Sequence, residues 1–479
     1  MARLACGSLR VDGHTAIGRI AALLGVCGAA SVALAGQTFY TFIGSPDSDW
    51  NSALNWTPTG IPGSGLADVA LIPAGSQARF GTVGPIGRTI DKIQIDATAQ
   101  LEIRNDFDLS IRGQTDGLGT TGLLSIPGTL LMSSVGNATD LIITGSGTYA
   151  VFGGGSPTTP ALIQMSNSTQ NRIYGGGGNE RLDIQPAATI RGAGQIGLNA
   201  LSIVNEGTIE AQGSNGITID PNGSGLVNTG VLRAGNGPLT LLNGTFNNSD
   251  GEILANESDV ILVGADVSGG VLNTTGNGGS VRAGSVGGGA ILHDLTNLGV
   301  FRSPNDLDMS AFGTIVNNGQ MLMQSVGNAT DIYLSSNLTF SGSGSVLMSN
   351  SQQNRIYDAS GPRGNQLTNG GTHTISGSGQ IGVNSINIVN QAGASILATS
   401  SSGLVLDPSE SVTNLGTLGA TEGGRLFLTG GTFIMTAPAI AQDGGIIFFS
   451  SGTFTGTFGT AGSGDCRIDA IGGSVLLTN

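Results

Sequence analysis

The stretch Val204-Asn205-Glu206-Gly207-Thr208-Ile209-Glu210-Ala211 decides the fold, because residues 227–234 repeat it as Val-Asn-Thr-Gly-Val-Leu-Arg-Ala. In both copies an Asn-x-Gly phrase precedes a short run in which apolar and polar residues alternate. Such a run has the period of a β-strand but is too short to bury its apolar face alone. Stacked on the next coil, it can pair backbone to backbone at about 4.8 Å. The repeat therefore predicts a parallel β-helix with one coil about every 20 to 24 residues.

The Asn-x-Gly phrase recurs along the chain and marks the predicted corners. Asn205 and Asn228 lie 23 residues apart, and the phrase returns at Asn297, Asn317 and Asn414. Glycine accepts a positive φ and asparagine tolerates it, so both suit a corner. Stacked asparagines can also form an amide ladder that keeps the coils in register. We expect about 18 coils and a rod about 85 Å long.

Composition favours an all-β fold. Of 479 residues, 82 are Gly, only 10% are charged and 39% are hydrophobic. Disorder is excluded because Val, Ile and Leu recur at strand spacing, and collagen because Gly lacks a three-residue period. The predicted fold class is all-β, a right-handed parallel β-helix (β-solenoid) with an N-terminal cap. Trp50 and Trp56 are expected to plug the first coil, since solenoid ends need covering.

A tandem duplication underlies the repeat. Three phrases return in order: Ser134–Asp140 as Ser325–Asp331, Gln170–Tyr174 as Gln353–Tyr357, and Gly192–Gly197 as Gly377–Gly382. The offset drifts by a few residues while the order is kept, which indicates small loop insertions. The predicted domains are a signal peptide at 1–36, an N-terminal cap and first coils at 37–98, a first solenoid copy at 99–298, and a second copy with the terminal coils at 299–479.

The N-terminus has the pattern of a signal peptide. Arginines precede an apolar run at 20–34, which ends in Ala33-Leu34-Ala35. Cleavage is expected near Ala35, which leaves Cys466 as the one remaining cysteine and rules out an intrachain disulfide. No other apolar run is long enough to cross a membrane. The protein is therefore predicted to be exported, to the cell surface or beyond, with no integral membrane segment in the mature chain.

Charge excludes two classes of partner. The net charge is −14, and Lys92 is the only lysine. Nucleic acid and anionic lipid are recognised through clustered Lys and Arg, so neither is an expected partner. Cell-surface glycans or other surface proteins remain as candidates.

The opening residues resemble a known group. Asp49-Trp50, Asn55-Trp56, Pro62-Gly63 and Ala67–Ile72 are similar to the N-terminal opening of secreted bacterial β-helix proteins related to autotransporter passengers and filamentous-haemagglutinin-like adhesins. The lines Gly192–Asn199 and Gly377–Asn384 are similar to coils of the same group. The resemblance implies a surface or extracellular rod with a structural or adhesive role. A strand-like run at Ser474–Asn479 predicts end-to-end self-association through an open strand edge.

Two matching phrases place aspartates two residues apart, at Asp106 and Asp108 and at Asp306 and Asp308. On a strand, such residues share a face, about 6.5 to 7 Å apart. Two carboxylates so placed suit acid/base work or Ca²⁺. The alternative is a solvent-facing strand edge with Phe107 or its counterpart pointing inward, which a coil wall needs in any case.

A second recurring set could bind sugar, because it combines a guanidinium, an aromatic ring and a carboxylate. Its members are Arg172, Tyr174 and Asp140 in the first copy, and Arg355, Tyr357 and Asp331 in the second. Duplication copies a scaffold coil as readily as a site, so fold alone does not assign a function.

Other motifs favour architecture over catalysis. The G-x-G-x-x-G phrases at Gly192 and Gly377 are interpreted as coil corners, since a dinucleotide fingerprint needs a following helix and a strand follows here. His293 and His373 lie in unrelated contexts, and zinc, redox and serine-esterase motifs are missing from the sequence. We therefore expect a structural or adhesive β-solenoid without catalytic activity. The alternatives are a polysaccharide lyase or hydrolase, or a lectin-like glycan-binding module.

Overall fold

A computed structural model describes residues 38–65, 68–81, 84–112, 114–115, 120–145, 149–156, 158–276, 278–284, 289–361, 364–471 and 475–478. The predicted signal peptide and its cleavage site near Ala35 lie outside the described residues. Strands make up 58% of the chain, and among the described residues the helical element is a 3₁₀ turn at Ala53–Asn55. The all-β prediction is confirmed.

Each coil contributes strands to three parallel stacks, which we call faces A, B and C. Face A begins with Thr38–Phe42, Asp68–Ile72, Lys92–Ile95, Thr120–Ser125, Tyr149–Gly153, Glu180–Ile184, Leu201–Asn205, Leu226–Asn228, Thr245–Asn247 and Asp266–Ser268. It continues through the first parts of Ala290–Asn297, Met309–Asn317 and Thr330–Ser341, then Asn354–Tyr357, Gly379–Gly382, Leu404–Leu406, Arg425–Leu428, Ile446–Phe449 and Arg467–Ala470.

Face B follows face A around each coil. It contains Ser48–Asp49, Gln77–Phe80, Gln100–Arg104, Thr129–Ser133, the first parts of Ala161–Gly175 and Ala188–Gly197, Thr208–Ala211, Val231–Ala234, Glu252–Ala255 and Val271–Thr274. It continues through the second parts of the three long face A strands, then Gln366–Asn369, Asn387–Asn390, Ser411–Asn414, the first parts of Thr432–Gln442 and Gly452–Ala461, and Val475–Thr478.

Face C completes the coil. It contains Gly87–Ile90, Asp108–Arg112, Thr139–Thr144, the second parts of Ala161–Gly175 and Ala188–Gly197, Ile217–Ile219, Leu239–Leu242, Val260–Val263, Val281–Ala283, Val300–Pro304, Gln320–Gln324, Ser345–Met348, Thr374–Gly377, Ser395–Ala398, Thr417–Ala420, and the second parts of Thr432–Gln442 and Gly452–Ala461. Two further strands, Trp56–Thr57 and Gln114–Thr115, pair antiparallel with their neighbours.

The coils form a β-solenoid of about 16 turns, close to the 18 expected. At about 4.8 Å per coil, the rod is about 77 Å long. Inward side chains stack as like residues, as in the face B column Ile209, Leu232, Ile253 and Leu272, all fully buried. Each such burial contributes about 1.5 to 3 kcal/mol. The predicted handedness, the N-terminal cap and the boundaries at residues 98 and 298 stay predictions.

The glycines of the Asn-x-Gly corners serve a purpose that the sequence reasoning missed. Gly207, Gly230 and Gly319 are not among the residues with positive φ, so the conformational reason given for them was wrong. A Cβ on Gly230 would lie 2.1 Å from the carbonyl oxygen of Gly207 in the preceding coil, and one on Gly319 would lie 2.0 Å from that of Gly299. Glycine is required here because stacked corners approach too closely for any side chain.

The predicted asparagine ladders are confirmed. Asn205 donates to the Asn228 side-chain oxygen, and Asn228 donates to Asn248, both at 2.7 Å and fully buried. A second ladder has two runs. Asn297 donates to Asn317 at 2.7 Å, and bonds of 2.8 to 2.9 Å join Asn369, Asn390 and Asn414. Each amide thus satisfies the one beyond it, which locks the register of successive coils.

His373 joins the two runs of the second ladder. Its Nε2 accepts from the Asn317 amide at 3.0 Å, so Nδ1 carries the proton and donates to the Asn369 oxygen at 2.7 Å. The ring is fully buried and stacks 5.3 Å from Phe340. Burial lowers the pKa of His373 from 6.5 to about 4, because a charged imidazolium would lose its hydration.

The tryptophans at the N-terminal end are buried. Trp50 and Trp56 pack against each other at 4.8 Å and against Phe42 and Phe80. Both indole N–H groups donate to backbone carbonyls, that of Trp50 to the carbonyl of Pro62 and that of Trp56 to the carbonyl of Trp50. Their burial and satisfied N–H groups leave little of either ring to offer a ligand.

The two copies of the duplication lie on different faces. Asp140 lies on face C, and eight steps along that face lead from its strand to Gln320–Gln324. The next strand in the chain, which holds Asp331, lies on face A. The offset of 191 residues therefore spans eight coils and about one third of a coil. Equivalent residues of the two copies point in different directions around the rod.

Candidate functional site

The predicted set of Asp140, Arg172 and Tyr174 meets on the outer wall of face C. Pairing of adjacent strands sets Asp140 beside Arg172, and alternation places Tyr174 on the same side. Arg172 donates from Nε and Nη2 to the two oxygens of Asp140 at 2.7 and 2.5 Å. Tyr174 donates its hydroxyl to Oδ2 of Asp140 at 3.0 Å, and the guanidinium lies 5.6 Å from its ring centroid. We call this set the first Asp–Arg–Tyr cluster.

Asp108 lies beside Asp140 on the preceding coil. Burial raises the pKa of the Asp108 carboxyl, and the charge of Asp140 raises it further. Burial and Asp140 likewise raise the pKa of Tyr174 to about 12, so the phenol stays protonated and serves as a donor. Asp140 itself is 2% exposed, whereas the Arg172 side chain is 30% exposed.

The second Asp–Arg–Tyr cluster repeats this arrangement on face A and adds a residue. Arg355 makes the same two-pronged contact with Asp331, and Tyr357 donates to Oδ2 of Asp331 at 3.3 Å. Tyr333, where the first copy has Ile142, also donates to Asp331, at 2.9 Å. Its hydroxyl lies 3.2 Å from Asp308. The sequence comparison missed Tyr333 because only one copy has it, although its place two residues after Asp331 on a strand was a usable signal.

The two aspartates of each predicted carboxylate pair do not lie on one strand. Asp106 and Asp306 are exposed, precede the face C strand and the face A strand, and have φ of 73° and 69°. The spacing expected for two residues on one strand therefore does not apply to them. Asp108 and Asp308 instead join the two clusters. Among the described residues, no three His, Cys, Asp or Glu side chains are grouped to hold a metal ion, and Ca²⁺ binding stays a prediction.

The clusters behave chemically as closed ion pairs. Both oxygens of each buried aspartate accept hydrogen bonds from arginine, and the tyrosines complete the coordination. A buried, bidentate pair is costly to open because either charge would be left without a partner. The clusters therefore join neighbouring coils, and both side-chain oxygens of Asp140 and of Asp331 already accept from arginine.

Two open grooves, of about 350 and 540 Å³, lie in the first copy. Pro127, Pro160 and Arg191 line the smaller, and Val135, Thr169 and Gln170 line part of the larger. Neither takes in Asp108, Asp140, Arg172 or Tyr174. An enzyme would need a deep groove that gathers Asp, Arg and Tyr side chains. Neither of these two grooves does so.

The G-x-G-x-x-G phrases lie in strands that turn a corner. Gly192 belongs to Ala188–Gly197, and the next element is the strand Leu201–Asn205. A Cβ on Gly192 would lie 2.1 Å from the Met165 carbonyl oxygen, and one on Gly377 would lie 2.0 Å from that of Met348. These glycines permit close stacking of coils.

No protein-family model matches this chain, and neither curated proteins nor solved structures provide a match. In the part of the chain that the structure describes, no helix is long and apolar enough to cross a membrane.

Proposed function

We propose that this protein is an exported structural or adhesive rod of the cell surface or extracellular space, without catalytic activity. The signal-peptide pattern at residues 1–36 and the resemblance to secreted β-helix adhesins support export. The asparagine ladders and the stacked core support a rigid rod, because the ladders bond successive coils to one another and like side chains stack along the length of the rod.

One observation carries the non-enzymatic part of the proposal. Asp140 with Arg172 and Asp331 with Arg355 form two ion pairs on two different faces, and both aspartates are almost fully buried. A general acid or base must reach the substrate within hydrogen-bonding distance. Asp140 and Asp331 could do so only after their arginine partners moved away.

Export has a direct test. Expressed with its own N-terminus in a bacterial host, the protein should be recovered outside the cytoplasm, and its N-terminal sequence should begin close to Gln37. A protein that keeps residues 1–36 and stays in the cytoplasm would refute the export proposal.

Catalysis is tested with the purified protein and a panel of acidic and neutral polysaccharides. We expect no new reducing ends and no unsaturated products. Turnover that disappears in an Asp106→Asn, Asp108→Asn double variant, but persists in a Ser343→Ala control, would instead establish the lyase or hydrolase alternative.

The lectin-like alternative has a specific observation in its favour. The larger groove is lined by uncharged hydrogen-bonding side chains with one exposed valine at its edge. Such a groove would give an adhesive rod a defined site for a glycan ligand.

A further inference from the structure

The larger groove lies at the corner between faces B and C in the first copy. It is an open groove of about 540 Å³. Residues 134–136 of one coil, residues 166–170 of the next coil, which we call the floor, and Asn215 line the groove. Val135 is 84% exposed at the lip.

The groove offers neutral hydrogen-bonding groups. Its lining contains Ser, Thr, Asn and Gln but no charged side chain. Among the described residues, the Thr169 hydroxyl and the Gln170 side-chain amide have no protein partner, whereas Asn215 uses its amide nitrogen to bond the Asn167 carbonyl. Hydroxyl and amide groups beside an apolar lip match the two faces of a neutral sugar, hydroxyl-rich at its edge and C–H-rich on its ring.

An extended peptide is a poorer occupant, because the backbone around the groove is already paired. Val135 and Asn137 donate their N–H groups to the Asn105 side chain, and Gly136 donates to Ser134. Strand 161–175 pairs with strands on both sides. Recognition by strand addition needs an unpaired edge, which this corner lacks.

The floor is held rigidly. Asn171 is fully buried and donates to the carbonyls of Ser166, Ser168 and Ala193, while its own oxygen accepts from Ser134. Asn354 makes the same contacts in the second copy. The two loops thus share one backbone scaffold, which makes the second copy a built-in comparison.

One substitution distinguishes the two loops. Residues 166–170 read Ser-Asn-Ser-Thr-Gln, and residues 349–353 read Ser-Asn-Ser-Gln-Gln, so Gln352 replaces Thr169. The Gln352 amide reaches across and donates to the carbonyls of Ser402 and Gly403, the latter at 2.8 Å. In the first copy the bonds to the matching coil come from Asn167, which contacts Ser214 and Asn215. The shorter Thr169 side chain adds no bond of the kind that Gln352 makes.

From this geometry we infer that the groove at Val135, Thr169, Gln170 and Asn215 binds a short segment of a neutral oligosaccharide, one per chain. The inference rests on the adhesive role proposed above and gives it a ligand class. Thr169 and Gln170 bond sugar hydroxyls, and Val135 contacts a ring face. The equivalent corner of the second copy is closed by Gln352.

The test uses the full chain, an array of neutral gluco-, manno- and galacto-oligosaccharides with uronic-acid glycans for comparison, and titration calorimetry with the best neutral glycan. We expect binding to a neutral glycan at one site per chain. Thr169→Gln should weaken it at least tenfold by closing the groove, and Gln170→Ala should weaken it several-fold. Gln353→Ala, at the matched position of the second copy, should leave it unchanged. Gln352→Thr should raise the number of sites towards two.

Circular dichroism establishes that each variant is folded. Absence of binding to every neutral glycan, binding of uronic-acid glycans alone, or equal binding by Thr169→Gln and wild type would overturn the inference. Those results leave the structural rod intact, because export and lack of turnover are measured separately. Cleavage of a bound glycan would instead overturn the non-catalytic function.

Discussion

At the scale of single residues, the buried ion pairs are the most sensitive points of the wall. We expect Arg172→Ala to lower the local stability of face C by about 2 to 3 kcal/mol, because Asp140 would keep a buried charge with Tyr174 as its remaining side-chain partner. Amide hydrogen exchange in strand Thr139–Thr144 measures this, since long solenoids need not unfold in two states.

The second copy supplies the matched control for that substitution. Arg355→Ala should lower the local stability of its strand less than Arg172→Ala does, because Asp331 would still accept hydrogen bonds from both Tyr333 and Tyr357. Equal losses of protection in strands Thr139–Thr144 and Thr330–Ser341 would show that the extra tyrosine does not compensate.

His373 gives a second prediction at this scale. NMR of ¹⁵N-histidine-labelled protein should show its ring neutral, with the proton on Nδ1, down to about pH 4. The folded pKa lies below the unfolded value of 6.5, so the stability it provides is complete above pH 6.5. It is lost as the pH falls to about 4, a change of about 3 kcal/mol.

The pH dependence of the stability of the whole protein does not isolate the contribution of His373. Burial raises the pKa of Asp108 and Asp308, so these groups favour the folded state as the pH falls, opposite in sign to His373. A His373→Gln variant separates the two, since its stability relative to wild type should improve between pH 6.5 and 4. An imidazole that titrates near 6.5 would contradict the burial of the ring.

The sequence predicted the grouping of Asp140, Arg172 and Tyr174, because all three recur in the second copy of the duplication. It did not predict that they close on one another, since that depends on which strands of successive coils are neighbours. The sequence also did not predict the role of His373 in the ladder. Its partner Asn317 lies 56 residues away, and the intervening coil has no asparagine at the ladder position.

At the scale of elements, the ladders set the register of the coils. Asn228 is their clearest test, because it accepts from Asn205 and donates to Asn248. Asn228→Asp keeps the shape but removes the donor and buries a charge, so we expect a loss of at least about 3 kcal/mol at pH 7. The exposed Asn137→Asp should cost less than about 0.5 kcal/mol.

Acidification distinguishes charge from shape in the Asn228→Asp variant. Once protonated, the introduced carboxyl group again has a donor, so part of the lost stability should return near pH 4. Hydrogen exchange in strands Leu201–Asn205 and Thr245–Asn247 reports the change. A variant as stable as wild type at pH 7 would show that packing alone fixes the register.

The period of the coil and the identity of its ladder residues could be predicted from the sequence, because both repeat. The reason for the corner glycines could not. Gly230 is required by the carbonyl of Gly207 in another coil, a contact that no local pattern reveals. Asp106 likewise looked like a strand residue, whereas its left-handed backbone places it in the turn before the strand.

At the scale of the whole molecule, the duplicated unit is not a whole number of coils. Its length of eight coils and one third moves every copied strand to the next face, yet the fold persists. The three faces are therefore interchangeable to a large degree, because each needs only alternating strands and close corners. What cannot shift freely is the ladder, since it requires asparagines directly above one another.

This distinction predicts which deletions the rod tolerates. Removing residues 205–227 joins Val204 directly to Asn228 and takes out one complete coil. Asn228 then takes the place of Asn205, with which it pairs in the intact chain. The variant should fold, unfold cooperatively and keep the Asn228–Asn248 bond in a rod shorter by about 4.8 Å. Circular dichroism and small-angle scattering measure both properties.

The control removes residues 229–236, a third of a coil. Asn228 is retained, but every later strand moves one face, so Asn248 no longer lies above it. Two buried amides lose their partners, at about 1 to 3 kcal/mol each, whereas the longer deletion removes one ladder member cleanly. The shorter deletion should therefore be the more destabilising of the two. The reverse order would mean that stacking of apolar side chains, rather than the asparagine ladder, holds the coils in register.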